Sequence, residues 1–137
     1  MNNQPAHVLI VDDDVVNNLI TSQRLKEISV TKIGIAKNGK EAIEYLDNCS
    51  GCYPDLVLLD LNMPVMNGFE VLEHYCRSNH NGKTYFAIVS SSNAEEDMHK
   101  TTQYTDVIDY VLKPLNREKI QRLIAVLPER EAGKKSA

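Results

Sequence analysis

The feature that most constrains this chain is a repeated switch of period. Short apolar runs at His7–Val11, Thr31–Ala36, Asp55–Leu59, Tyr85–Val89 and Val107–Leu112 alternate with longer stretches at helical spacing. Four of the runs are nearly continuous in apolar residues, the pattern of parallel strands covered on both faces. The second, Lys32-Ile33-Gly34-Ile35-Ala36-Lys37, alternates and is broken by Gly34, which suits an edge strand. Helices are expected over Val15–Ile28, Gly39–Asn48, Asn67–Arg77, Ala94–Gln103 and Asn116–Leu127. The second places Ala42, Ile43 and Leu46 on one face. The third places Phe69, Leu72 and Cys76 on one face, with Val71 and Tyr75 beside them. The fourth is mostly polar. The fifth carries Ile120, Leu123, Ile124 and Leu127 as one stripe, with Asn116 as N-cap and Pro128 as stop. Strands and helices alternating in this way specify an α/β domain with right-handed crossovers, a three-layer doubly wound sandwich. The pattern alone leaves strand order open.

The length of 137 residues gives room for one domain and a sizeable core. Residues 1–128 are expected to form it, with the charged, small residues 129–137 as a loose tail. Fifteen Lys and Arg stand against 19 Asp and Glu, a net charge of −4 that fits a nucleic-acid binder poorly. The apolar runs fall far short of the roughly 20 residues a membrane span needs. The start, Met1 to His7, has no basic segment followed by an apolar one, so no secretory signal is visible. Three cysteines cannot all pair within the chain, and a reduced, cytoplasmic setting is expected.

In an open parallel sheet, ligands bind beyond the carboxyl ends of the strands. The residues just past the runs are therefore the candidates. Asp12, Asp13 and Asp14 come after the first, and Asp60 after the third. Ser90, Ser91 and Ser92 come after the fourth, and Lys113-Pro114 after the fifth. Packed carboxylates repel each other unless a cation neutralises them, and a few hard oxygen ligands suit Mg²⁺. A lysine in such a cleft can pair with an aspartate or with an added phosphate. A small hydroxyl can donate to a phosphoryl oxygen. An aspartate beside Mg²⁺ can itself be the nucleophile, the metal offsetting charge as an aspartyl phosphate forms. The set supports phosphoryl transfer to Asp60. Singly, each residue has a plainer role. Asp14 caps the first helix, a strand-end Asp or a Lys-Pro pair marks a turn, and serine is common in loops. Joint placement after four strands of one sheet is the observation that carries weight.

At these residues the chain resembles the receiver domains of two-component response regulators. Val8-Leu9-Ile10-Val11-Asp12-Asp13-Asp14 resembles the family's first strand and acidic pair. Asp60-Leu61-Asn62-Met63-Pro64-Val65-Met66-Asn67-Gly68 resembles its phosphoacceptor motif. Ser90 matches the Thr/Ser position, Tyr110 the switch aromatic and Lys113-Pro114 the Lys-Pro pair. The resemblance runs from about His7 to Leu127. It implies a flavodoxin-like fold with strand order 2-1-3-4-5 and a phosphoacceptor at Asp60, fed by a histidine kinase or phosphotransfer protein. It implies Mg²⁺ held by Asp12, Asp13, Asp60 and the backbone carbonyl of Asn62, with Asp12 acting mainly through water. Lys113, joined to Pro114 by a cis bond, would pair with the phosphoryl group. Small Ser91 would leave the site accessible, and Asn62 and Ser92 would tune self-dephosphorylation. Ser90 would swing toward the phosphoryl group and Tyr110 inward, altering a face of helix four, strand five and helix five that binds a downstream protein. With the pattern ending near Leu127, a stand-alone receiver is expected, a monomer or weak homodimer that touches neither nucleic acid nor membrane. No enzyme activity is expected beyond self-phosphorylation from phosphodonors and self-dephosphorylation.

Some positions depart from the family pattern. Asp106-Val107-Ile108-Asp109 fills a stretch that often holds Gly-Ala, which bears on the end of helix four and the output surface. Ser replaces the commoner Thr at position 90. The loops around Cys49–Pro54 and Asn79–Thr84 look long. Cys49-Ser50-Gly51-Cys52 lies after a helix and before a strand, the reverse of a redox motif, and lacks the partners of a zinc site. Met63 and Met66 read as core filler. Two other functions fit the residues less well. A haloacid-dehalogenase-like phosphatase also uses a strand-end Asp, but would carry D-x-D-x-T/V at strand one, where Val15-Val16 come after the carboxylates. A phosphate-independent adaptor would have a decayed site, whereas the acidic cluster, Ser90 and Lys113 are all present.

Overall fold

The computed structural model describes residues 7–49, 53–78 and 82–127. Strands and helices alternate along them: β1 (His7–Val11), α1 (Val15–Glu27), β2 (Lys32–Ala36), α2 (Gly39–Asp47), β3 (Leu56–Leu59), α3 (Gly68–Arg77), β4 (Tyr85–Ser90), α4 (Glu95–Thr101), β5 (Val107–Leu112) and α5 (Arg117–Val126). The strands form one parallel sheet in the order β2-β1-β3-β4-β5. This is the doubly wound, flavodoxin-like arrangement expected, with the interrupted β2 at an edge.

The near-continuous apolar strands serve two cores, because successive side chains point to opposite faces. Leu9, Val11, Val57, Leu59, Phe86 and Ile88 meet Ala42 and Leu46 of α2 and Val71, Leu72 and Tyr75 of α3. Val8, Ile10, Leu56, Leu58, Ala87 and Val89 meet Leu25 of α1 and Ile120, Leu123 and Leu127 at α5. Each fully buried Val, Leu, Ile or Phe side chain among them is worth about 1.5–3 kcal/mol. Four helices open on the side-chain oxygen of an Asp or Asn. Asp14, Asn38, Asn67 and Asn116 accept from the backbone N–H of Asn17, Glu41, Glu70 and Lys119. Each cap contributes about 1 kcal/mol.

Several elements differ from expectation. The buried face of α3 is Val71, Leu72 and Tyr75, whereas Phe69 is half-buried and Cys76 exposed. Tyr75 fixes that rotation. Its hydroxyl accepts from the backbone N–H of Gly82, Lys83 and Thr84 and lies 3.1 Å from the Asp106 carboxylate. Helix α4 is shorter than Ala94–Gln103. On α1 the polar Asn18 and Thr21 face inward with Leu25, while Val15, Val16, Leu19 and Ile20 face solvent. In the Asp106–Asp109 stretch, Phe86 pairs with Val107 but Ala87 with Asp109, so Ile108 is an extra residue in a bulge that re-aims the rest of β5. Beyond it, the Tyr110 N–H donates to the Asp109 carboxylate at 2.8 Å, and Lys119 Nζ donates to the Leu112 carbonyl at 2.7 Å. Pro128, the expected tail and Cys52 lie outside the described residues, as do parts of both loops expected to be long. Among the described residues, no helix is long and apolar enough to cross a membrane.

Ser29 closes α1 with φ of 72°, its N–H donating to Lys26 and that of Val30 to Leu25. A side chain is strained there, and glycine is not. Ser29→Gly should therefore stabilise the fold by about 0.5–1 kcal/mol. The check is a higher urea midpoint at unchanged slope.

Candidate functional site

The carboxyl ends of β1, β3 and β5 bring three kinds of group together. Asp12 is docked by its backbone, its N–H donating to Ala36 and its carbonyl accepting from Asn18 Nδ2 at 2.9 Å. Its carboxylate is also held on both oxygens. Oδ1 accepts the Asp14 N–H at 3.0 Å, and Oδ2 accepts Asn17 Nδ2 at 3.0 Å and Lys113 Nζ at 2.8 Å. Asp60, only 5% exposed, hangs from β1 through its N–H on the Val11 carbonyl. Its Oδ1 accepts the Asn62 N–H at 3.1 Å and its Oδ2 faces Lys113 Nζ at 3.3 Å. Asp13 is exposed, and a carboxylate oxygen from each of Asp12, Asp13 and Asp60 lies within 4.8 Å of the others.

Lys113 arrives from β5 on a fixed backbone. Its N–H donates to the Ser90 carbonyl at 2.9 Å, and the bond to Pro114 is cis. Lys113 faces Asp12 and Asp60, and the Asp13 carboxylate stands beside them, so three acids against one ammonium have the charge and the hard oxygens to hold a divalent cation such as Mg²⁺. Burial lifts the Asp60 carboxyl above its ordinary value, and the Asp12 charge adds to this against the lowering by Asn62 and Lys113. For Lys113, burial alone would lower the ammonium. The hydrogen bond to Asp12 and the charges of Asp60 and Asp12 outweigh it, and the net shift is upward.

Behind this edge, Ser90 is fully buried and its hydroxyl accepts the Ser92 N–H at 3.1 Å. Ser91 and Asn62 are exposed. Tyr110 is half-buried, and its hydroxyl donates to the Ser92 carbonyl at 2.8 Å. The end of the phosphoacceptor-like motif requires glycine, because a Cβ on Gly68 would lie 2.6 Å from the Asp60 carbonyl. Asp14 is spent on capping α1. The strand-end residues after β1, β3 and β5 thus converge, and Ser90 stands beside them through Lys113. Strand-end logic does not point to Asn17 and Asn18, which clamp Asp12 from the first turns of α1. Their only signal is a polar pair in a helix whose neighbours are apolar. An open groove between α3 and α4, lined by Met66, Phe69, Glu73, Arg77, Lys100 and Tyr104 among others, shares no residue with this cluster.

Residues 8–125 match the response regulator receiver domain family, and the chain belongs to it. It is similar to the nitrate/nitrite response regulator protein NarL of Escherichia coli K12, with 34% identity over 124 residues, 90% of this chain and 55% of that protein. The chain thus spans about half the length of the curated relatives it matches first. Two-component response regulator 24 of Arabidopsis thaliana is 31% identical over 119 residues, 87% of this chain and 79% of the relative. Among solved structures, a two-component response regulator from Cytophaga hutchinsonii superposes with a TM-score of 0.78 at 27% identity, covering 85% of this chain and 92% of that one. The CheX-CheY-BeF3-Mg+2 complex from Borrelia burgdorferi gives 0.78 at 28% identity, covering 90% of each chain.

The raised Asp60 carboxyl has a consequence for stability. A carboxyl whose folded pKa lies above its unfolded one binds protons more tightly in the fold, so its contribution is lost as pH rises through the folded value. Asp60→Asn removes that loss and leaves Lys113 on Asp12. It should raise the unfolding free energy at pH 7. The gain should disappear below the ordinary carboxyl value of 3.8. Urea unfolding of both proteins at the two pH values decides it, and an equal or reversed difference at pH 7 would refute the burial account.

Proposed function

We propose that this chain is a phosphorylatable signalling switch. Asp60 accepts a phosphoryl group from a histidine kinase or phosphotransfer protein in a Mg²⁺-dependent step, and the modification changes a protein-binding face. The observation that carries the reading is Lys113 Nζ, 2.8 Å from Asp12 and 3.3 Å from Asp60, at a sheet edge that also holds Asp13. In the transfer, an Asp60 oxygen forms the new P–O bond while the donor's phosphohistidine P–N bond breaks and the imidazole leaves. Asp12, Asp13, Asp60 and the Asn62 carbonyl would hold Mg²⁺, which when bound supplies charge compensation for the phosphoryl oxygens. Lys113 exchanges a carboxylate for a phosphoryl oxygen, one charge-assisted contact for another. Small, exposed Ser91 keeps the approach open. Ser90 turns its hydroxyl from the Ser92 N–H toward the phosphoryl group, and Tyr110 moves into the space vacated. Together they change the face of α4, β5 and α5 that a downstream protein reads. Asn62 and Ser92 set the lifetime of the product. The reading sets this exchange in the cytoplasm and requires no catalysis beyond self-labelling and self-hydrolysis.

A protein donor fits the surface beside the site. Val16 is 64% and Leu19 63% exposed on α1, just beyond the acidic run, and Val65 is 77% exposed in the loop after Asp60. Val65 has φ of 71°, strained for a β-branched residue, in a tight turn closed by the Met66 N–H on the Pro64 carbonyl. Apolar side chains held outward around a polar site are a docking rim.

Incubation with acetyl phosphate and Mg²⁺ should add one phosphoryl group by intact mass, and Asp60→Ala should add none. An unchanged adduct in Asp60→Ala sinks the reading. Leu19→Asp should label normally with acetyl phosphate. It should also slow transfer about tenfold from any phosphohistidine protein that labels the wild type, the effect of losing roughly 1.4 kcal/mol of contact.

A further inference from the structure

Helices α2, α3 and α5 each open on an asparagine cap, Asn38, Asn67 and Asn116. Three residues after the cap, α2 carries Glu41 and α3 carries Glu70. In α5 that position holds Lys119, whose N–H donates to Asn116 Oδ1 at 2.8 Å. A cation in a first turn runs against the helix dipole, which favours an acid there. The ammonium of Lys119 is engaged elsewhere, on the end of β5. It donates to the Leu112 carbonyl at 2.7 Å and to the Pro114 carbonyl at 3.1 Å, from the residues on either side of Lys113. The Leu112 carbonyl and the Lys113 N–H belong to one planar peptide unit. That N–H donates to the Ser90 carbonyl at 2.9 Å. Both polar groups of the peptide are therefore held, one by the neighbouring strand and the other by Lys119.

We propose that Lys119 is a positioning residue for Lys113: by gripping the carbonyls on either side, it fixes the backbone from which the Lys113 ammonium reaches the site. This rests on the phosphoacceptor reading above, in which Lys113 meets first the carboxylates and then a phosphoryl oxygen. Lys113 Nζ lies 2.8 Å from Asp12 and 3.3 Å from Asp60, at the end of a flexible four-carbon stem. A charge on such a stem is placed no better than the backbone that carries it. A peptide held by Ser90 alone can rock about that single bond. The hold from Lys119, on the opposite polar group of the same peptide, removes this freedom. Its bonds are charge-assisted and so stronger than neutral ones. Because its own N–H is held by Asn116, Lys119 also ties the strand end to the first turn of α5.

The test uses the full chain and the variant Lys119→Met, which removes the donors but keeps an unbranched stem and the helix preference. With limiting acetyl phosphate and Mg²⁺, the initial rate of adduct formation should fall about fivefold, the worth of one hydrogen bond. Circular dichroism at the assay temperature should show the variant folded, so that a role in stability alone would leave this rate unmoved. In ¹⁵N relaxation the Lys113 amide should lose order, its order parameter dropping below the rigid-backbone value of about 0.85. The amides of Leu9 and Val57, fully buried in β1 and β3, should keep theirs. Arg122→Gln removes an exposed positive charge from the next turn of α5 and should match wild type in both measurements, which separates the contact from the charge of the helix. An unchanged Lys113 amide or an unchanged labelling rate in Lys119→Met overturns the inference alone, as does an equal effect in Arg122→Gln. If the wild type takes up no phosphoryl group, the phosphoacceptor reading falls and this inference falls with it.

Discussion

A single ammonium, Lys113, stands between carboxylates that would otherwise force one another apart. Asp12 and Asp60 end strands that are direct neighbours, β1 and β3, so the sheet itself sets their separation. Lys113 comes from β5, two strands beyond β3, and reaches both. The fold must therefore hold β1, β3, β4 and β5 in one register for the site to exist. The arrangement is also incomplete in charge, since one cation does not neutralise three acids, and burial leaves the Asp60 carboxyl raised in spite of Lys113 and the Asn62 N–H. A site of this kind is stable enough to fold and still gains from added positive charge or from rearrangement.

Much of this was legible because it derives from burial. Strands covered on both faces read as apolar runs, and a strand's last residue is by necessity where its apolar run stops. Asp12, Asp60, Ser90 and Lys113 could be named on that ground alone. The N-caps Asp14 and Asn116 were legible for a similar reason, because a helix start needs a side-chain acceptor and few residues supply one.

The features that were not legible depend on partners distant in sequence. The face of α3 is set by Tyr75, whose hydroxyl is gripped by the Gly82–Thr84 backbone, and an apolar count cannot prefer it over Cys76. The bulge at Ile108 exists only relative to β4. On α1, Asn18 faces inward because the Asp12 carbonyl needs a donor. The helix is thus turned so that its apolar side faces water, against the usual rule for a surface helix. Local preference yielded at the point where the acidic edge had to be held in place.

The outer margin of β5 has a further effect. An open sheet edge is a template on which another chain can add a strand. Here Tyr110 offers its N–H to the adjacent Asp109 carboxylate, and the Leu112 carbonyl is covered by Lys119. The margin carries charge of both signs and has part of its hydrogen-bonding capacity already filled from within. A neighbour gains little by annealing to it, so crowded copies are discouraged from seeding fibres along that side. Any protein that recognises this flank must read its side chains, and recognition there is a matter of sequence rather than of generic backbone pairing.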